Sequence, residues 1–159
     1  MPTPDFILRL REKIGTELLW LPGVTAVVID RSTPQPRVLC VRRADNGQWT
    51  PVTGIVDPGE PPAVAAEREV LEESGVTAVC EWLVSVEVVG PVTYPNGDRS
   101  QFVDHCFALR YVAGEPYPAD GENTEAGWYA ADALPPMNER FQRAVRQALA
   151  EPGPARFTR

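Results

Sequence analysis

Residues 54–76 read GIVDPGEPPAVAAEREVLEESGV, and this stretch decides the fold. Asp57-Pro58-Gly59 is a turn, and Pro61-Pro62 suits the opening of a helix, where a missing N–H has no intrahelical partner. The helix is expected over about 61–74, with Gly75 as its C-terminal cap. Glu69 and Glu73 lie one turn apart on one face, and Glu72 sits beside them. Ala63, Ala66 and Val70 form a neighbouring strip of small apolar groups that can pack on a sheet. Like charges at i, i+4 cost roughly 0.2–0.5 kcal/mol per pair, and Arg68 is the only cation on the helix. A divalent ion such as Mg²⁺ would relieve that repulsion, because it prefers carboxylate oxygens and fills its shell with water and phosphate oxygens. A solvated acidic face is the plainer reading, and the three glutamates alone do not choose between the two.

Working outward, residues 5–19 read as an amphipathic helix with Ile7, Leu10, Ile14 and Leu18 on one face, Asp5 as a possible cap and Pro22-Gly23 as its stop. Val24–Asp30 and Arg37–Arg43 read as strands flanking a turn at 32–36. Val76–Val89 and Ser100–Val112 read as long strands joined through Tyr94-Pro95-Asn96-Gly97-Asp98, since Asn-Gly between apolar runs marks a hairpin. Gly127–Ala130 reads as a short strand. Met137, Phe141, Val145, Ala148 and Leu149 mark one face of a last helix. The order of elements argues for one domain over residues 1–159, with a core from about 20 to 150 and a loose tail at 151–159. The fold class is α+β, a mixed sheet with helices packed on it.

Composition narrows the function. The chain has 159 residues, 43% of them apolar and 23% charged, as in an ordinary globular domain. Its net charge of −7 makes a nucleic-acid polymer a poor partner, because such recognition rests on Lys and Arg neutralising phosphates. A small phosphate compound remains open if a metal supplies the positive charge. No apolar run reaches the ~20 residues that span a bilayer, and the first fifteen residues do not read as a signal peptide. Cys40, Cys80 and Cys106 fit neither a disulfide framework nor a zinc pattern. Reduced thiols in a cytoplasmic protein are expected.

The spacing in 54–76 goes further. Gly54, Glu60, Arg68-Glu69, apolar Val70, Glu72-Glu73, Gly75 and apolar Val76 follow the Nudix box without a gap. Seven fixed identities at roughly 7% usage each coincide about once in 10⁸ positions, so the chain resembles a Nudix hydrolase. The resemblance implies an α/β/α sandwich and hydrolysis of a nucleoside diphosphate linked to another moiety, with Mg²⁺ or Mn²⁺. It implies that Glu69, Glu72 and Glu73 bind metal, that Glu60 joins their network, that Arg68 orients a box glutamate, and that the Thr53 carbonyl can complete the shell. Glu69, Glu72, Arg68 and an acidic residue outside the box are then the candidate catalytic groups. For the last, Glu122 is preferred to Glu125, against an ordinary acidic loop. A carboxylate would take a proton from metal-activated water.

The sequence departs from the family where Val52-Thr53 precedes Gly54 in place of a glycine-rich run. A β-branched Thr53 tolerates positive φ poorly, so the loop is expected to differ. One of Arg42 and Arg43 could bind substrate phosphate, but alternation sends the two to opposite faces, and a surface charge is the expected role of each. Trp49 is expected at the core or rim, His105 in a structural role, and Asp98 in the hairpin turn. Within the family, Pro91 points to ADP-ribose-type substrates and Tyr94 to dinucleoside polyphosphates. ADP-ribose or a nucleotide sugar is favoured. Alternatives are an oxidised-nucleotide or dinucleoside polyphosphate hydrolase and a non-catalytic nucleotide-binding sensor. The N-terminal helix could cover the sheet or build a homodimer.

Overall fold

The computed structural model describes residues 3–159. In chain order the elements are α1 (Asp5–Ile14), β1 (Leu18–Asp30), β2 (Arg37–Arg43), β3 (Trp49–Thr50), β4 (Val52–Ile55), α2 (Pro62–Ser74), β5 (Thr77–Thr93), β6 (Arg99–Ala113), β7 (Asn123–Ala130), α3 (Glu139–Leu149) and β8 (Arg156–Phe157). The strands form one mixed sheet in the order β3-β2-β1-β6-β5-β8, with β4 added to β1 and β7 to β2. β1 is central. It runs parallel to β6 and antiparallel to β2 and β4. Its second half is buried on both faces, which explains the unbroken run Val24–Asp30.

Alternation along β1 and β2 separates two cores. Val24, Ala26, Val28, Leu39 and Val41 pack under Ala65, Ala66 and Val70 of α2. Val27, Ile29, Val38 and Cys40 pack under Phe141, Val145 and Ala148 of α3. Each fully buried Val or Leu contributes about 1.5–3 kcal/mol relative to exposure. The result is the expected α/β/α sandwich. All three cysteines are free thiols, and among the described residues no helix is long and apolar enough to cross a membrane.

Four local expectations are corrected. The first helix ends at Ile14, not residue 19, because Gly15 takes φ 58° and closes it with a bond from its N–H to the Arg11 carbonyl. Leu18 and Leu19 instead open β1, paired with Arg99 and Ser100 of β6. Pro22 lies inside that strand. Its carbonyl accepts from the Val56 N–H, on the edge facing away from β6, so its missing N–H costs no bond in the β1–β6 ladder. Asp5 does not cap α1; Pro4 holds the cap position and makes no side-chain bond there. The tail is not wholly loose, since Arg156 and Phe157 pair with Ser85 and Val86 of β5.

Candidate active site

α2 carries Glu69 and Glu73 on the side that its packing leaves open to a cleft. Pro62 stands in its first turn, and Gly75, at φ 70°, ends it with a bond from its N–H to the Leu71 carbonyl. Ala65, Ala66 and Val70 fix the helix on β1, which places Glu69 and Glu73 against a cleft of about 630 Å³. Both carboxyls are nearly enclosed, at 3% and 2% exposure. Burial pushes Glu69 up to about 7, opposed by Arg68. Burial pushes Glu73 up to about 8, with Asn123 opposing and the charges of Glu122 and Glu69 adding to the rise.

Arg68 organises the rest of the helix face. Its guanidinium donates to both oxygens of Glu60 at 2.8 and 2.9 Å, to Glu69 Oε1 at 2.9 Å and to Glu72 Oε2 at 3.2 Å. A further bond runs to the Ile55 carbonyl, which ties the helix to β4. The hydrogen bonds from Arg68 hold Glu60 below the usual carboxylate range, and those to Glu60 in turn raise Arg68. Glu60 also accepts from the Asp57 N–H, closing the turn before the helix.

Gly54 shows why the site needs a glycine. A Cβ there would collide with Cγ and Cδ of Glu69, so the missing side chain lets the carboxyl lie on the β4 backbone. Thr53 belongs to β4, pairs with Thr25 and lines the cleft. Among the described residues only glycines have positive φ, so Thr53 is accommodated in extended backbone and the feared conflict with β-branching does not arise.

The structure brings Thr53, Glu69, Glu73 and Glu122 to the cleft, whereas Glu60, Arg68 and Glu72 stand beside it rather than among its lining. Arg42 and Arg43 diverge, and the surface role expected of both holds for Arg42 alone. Arg42 pairs with Glu125 at the surface, while Arg43, held by a two-pronged bond to Asp45, lines the cleft. Trp49 packs edge-on to Tyr129 at 5.2 Å. His105 Nδ1 meets the Gly23 carbonyl at 3.0 Å. Asp98 serves the hairpin turn through Asn96 and also pairs with Arg11 at 3.6 Å.

Sequence reasoning passed over Asn123. Its Nδ2 donates to Glu73 Oε2 at 2.9 Å, and its own Oδ1 is buried without a hydrogen-bond partner among the described residues. The available signal was its place next to Glu122, at the end of β7 that returns beside Arg43.

The residues fit a hard divalent cation by the chemistry of their donors. The set is all oxygen, two of its carboxyls are buried one helical turn apart, and a buried amide oxygen stands beside one of them without a donor. Among the described residues no three acidic, His or Cys groups already converge on one point. Arg68 holds Glu60 and Glu72 at its own guanidinium, outside the lining of the cleft.

The NUDIX domain family model matches residues 20–149. The chain is 31% identical over 153 residues to the RNA pyrophosphohydrolase of Acidiphilium cryptum, covering 86% of this chain and 91% of that one. It is 29% identical over 140 residues to the NAD-capped RNA hydrolase NudC of Vibrio cholerae, covering 84% of this chain and 48% of that protein. Against the human 8-oxo-dGDP phosphatase NUDT18 it is 34% identical over 107 residues, or 64% of this chain and 30% of that one. The chain thus spans half or less of several curated relatives. Among solved structures, the MutT NUDIX hydrolase of Burkholderia pseudomallei superposes with a TM-score of 0.60 at 26% identity, over 81% of this chain and 98% of that one.

Proposed function

The chain belongs to the Nudix family, and on that premise we propose that it hydrolyses a diphosphate linkage in a small nucleoside diphosphate derivative, using Mg²⁺, or Mn²⁺ in its place. The observation that carries this reading is the pair of buried carboxyls, Glu69 and Glu73, on the wall of a cleft of about 630 Å³. A buried carboxyl pair without a cation is electrostatically costly, and a diphosphate would be repelled by it. When bound, a divalent cation would neutralise charge on the phosphate oxygens and acidify a water.

The chain's own groups supply the rest. Glu69 and Glu73 would hold the cation, with Glu72, Glu60 and the Thr53 carbonyl completing its surroundings. Arg68 is a positioning residue that fixes Glu60 and Glu69. Asn123 orients the Glu73 carboxyl through Oε2. Glu122, on the cleft wall, is proposed as the base that takes the proton of the attacking water. Arg43 faces the cleft beside Asp45 and would meet a phosphate oxygen.

A nucleoside carrying a phosphoanhydride is common to the names of several relatives: NAD-capped RNA and 8-oxo-dGDP among the curated proteins, ADP-ribose and UDP-X among the solved structures. ADP-ribose or a nucleotide sugar remains the favoured substrate. Tyr94 lines the cleft and Pro91 does not, so the pointer from Pro91 rests on sequence alone. Retention of every box glutamate favours catalysis over a sensor. The free thiols accord with a reducing compartment, and the cytoplasm is the proposed location.

The test is a panel of ADP-ribose, nucleotide sugars, dinucleoside polyphosphates and nucleoside triphosphates, each with Mg²⁺, with EDTA and with Glu73→Gln. Metal-dependent cleavage of one class, lost in the variant, supports the hydrolase. Tight binding of one compound without cleavage would put the sensor in its place.

A further inference from the structure

One corner of the cleft owes nothing to the acidic helix. Gly23 of β1 and Asp104 of β6 are register partners, and Phe102 stands two residues before Asp104 on the same strand. All three line the cleft. Asp104 is anchored through one of its oxygens. Its Oδ2 accepts from the Thr25 hydroxyl at 2.8 Å and forms an ion pair with Arg140 of α3 at 2.9 Å, and Arg140 donates to Thr25 at 2.9 Å. The Asp104 side chain is about nine-tenths buried, at 11% exposure. Yet its second oxygen, Oδ1, makes no hydrogen bond among the described residues. A carboxylate has roughly four acceptor positions, and anchoring α3 to the sheet employs those of Oδ2 only.

Gly23 keeps that oxygen accessible. Its backbone is not in the left-handed region, so conformation does not require a glycine there. Space does. A Cβ at this position would stand 3.3 Å from Phe102 Cδ1 and 3.5 Å from both Asp104 Oδ1 and the Gly54 carbonyl oxygen, narrowing the corner between them. An aromatic edge and a fixed acceptor side by side form a small pocket for a flat group bearing a donor. A carboxylate repels phosphate, so the anionic part of a substrate is directed elsewhere, toward the Glu69–Glu73 pair with its cation and toward Arg43.

We propose that Asp104 is a specificity-determining residue: its Oδ1 accepts a hydrogen bond from an N–H or O–H donor on the nucleoside part of the substrate, seated against Phe102 in the space left by Gly23. The inference rests on the reading of the cleft as a nucleotide site but does not depend on turnover. Donors of three origins share this chemistry: the exocyclic amine of a base, a ring N–H and a sugar hydroxyl.

The test is direct binding by calorimetry of AMP, IMP, GMP, CMP, UMP and 2′-deoxy-AMP, with inorganic pyrophosphate as a probe lacking a nucleoside, all with Mg²⁺. Wild type should prefer one nucleotide over its partner lacking the donor by about tenfold or more, the scale of one lost hydrogen bond to a charged group. AMP against IMP sets the exocyclic amine against the ring N1–H, and AMP against 2′-deoxy-AMP isolates the hydroxyl. In Asp104→Asn, which retains an oxygen for Thr25 and Arg140 and presents an amide donor at the other position, that preference should collapse to about twofold or reverse. Gly23→Ala narrows the same corner while leaving Asp104, Thr25 and Arg140 in place. It should weaken every nucleotide by about tenfold or more and leave pyrophosphate binding within about twofold. Unchanged preference in Asp104→Asn, with Gly23→Ala binding nucleotides as wild type does, overturns the proposal. So does equal weakening of nucleotides and pyrophosphate in both variants, the result expected of a purely structural anchor. Binding preferences that follow these expectations in a protein that cleaves nothing would count against the hydrolase alone.

Discussion

Gly54 and Glu69 make contact of a kind that only glycine permits, because any Cβ at 54 meets the Glu69 side chain. Gly54→Ala is therefore expected to displace a proposed metal ligand and to cost about 1–3 kcal/mol in overpacking. Denaturant midpoints and Mg²⁺ titration check the two effects separately. Arg68 is the second such residue. It is 22% exposed and serves three carboxylates, so Arg68→Lys, which loses the planar fork, should destabilise by about 1–2 kcal/mol after allowance for partial solvent screening. Both residues belong to the spacing that the sequence displayed openly. Asp30 did not stand out there. Burial acts to raise its pKa, but the hydrogen bonds from Ser32 and the pairing with Arg37 outweigh it and hold the carboxyl below the usual value. A lowered folded-state pKa stabilises the fold wherever the unfolded carboxyl is ionised, above about pH 4, and that contribution fades as pH falls through the lower folded value. Asp30→Asn should thus be less stable than wild type near neutral pH, and the gap should close as pH falls through the lowered folded value, as read from denaturation at stepped pH.

At the scale of elements, α2 was legible to within a residue, because its start, its cap and its two faces are all local chemistry. α1 was not. Leu18 continues the helical spacing of Ile7, Leu10 and Ile14, and Pro22-Gly23 imitates a stop signal. Yet Leu18 onward is claimed by β6, a partner distant in the chain. The helix itself is short and covers Leu19 and Leu21 through Ile7. Arg11 fastens it to the β5–β6 hairpin by bonds to the Arg99 carbonyl and Ser100 Oγ. Ile7 and Arg11 also line the cleft, although they lie outside the matched family region. Deleting residues 1–15 should leave a folded domain with a lower thermal midpoint and a KM raised several-fold while kcat changes less. Light scattering on the same protein would show whether α1 takes part in self-association. A KM equal to wild type would exclude α1 from the substrate site.

For the whole molecule, the expected signature of the site is ligation to the folded state. Mg²⁺ at about 100 times its Kd should stabilise the protein by about 2.7 kcal/mol. EDTA should abolish the gain, and Glu73→Gln should reduce it sharply. Differential scanning calorimetry measures all three. An equal Mg²⁺ response in Glu73→Gln would remove Glu73 from the metal set.

The sequence by itself determined the acidic helix, its C-terminal cap and the strand-like runs around it, since each of these is a rule about residues near one another in the chain; the sandwich came with the resemblance carried by 54–76. It also named Glu60, Arg68, Glu69, Glu72, Glu73 and Thr53 through a fixed spacing. Only the tertiary structure decided which of them face the cleft and which lie beside it under Arg68. It alone joined Asn123 to Glu73, bent α1 onto the hairpin, and set Asp104 between Thr25, Arg140 and an open corner above Gly23. Those contacts link strands and helices that are far apart in sequence. Their geometry depends on sheet order and register, and no local pattern of residues encodes either.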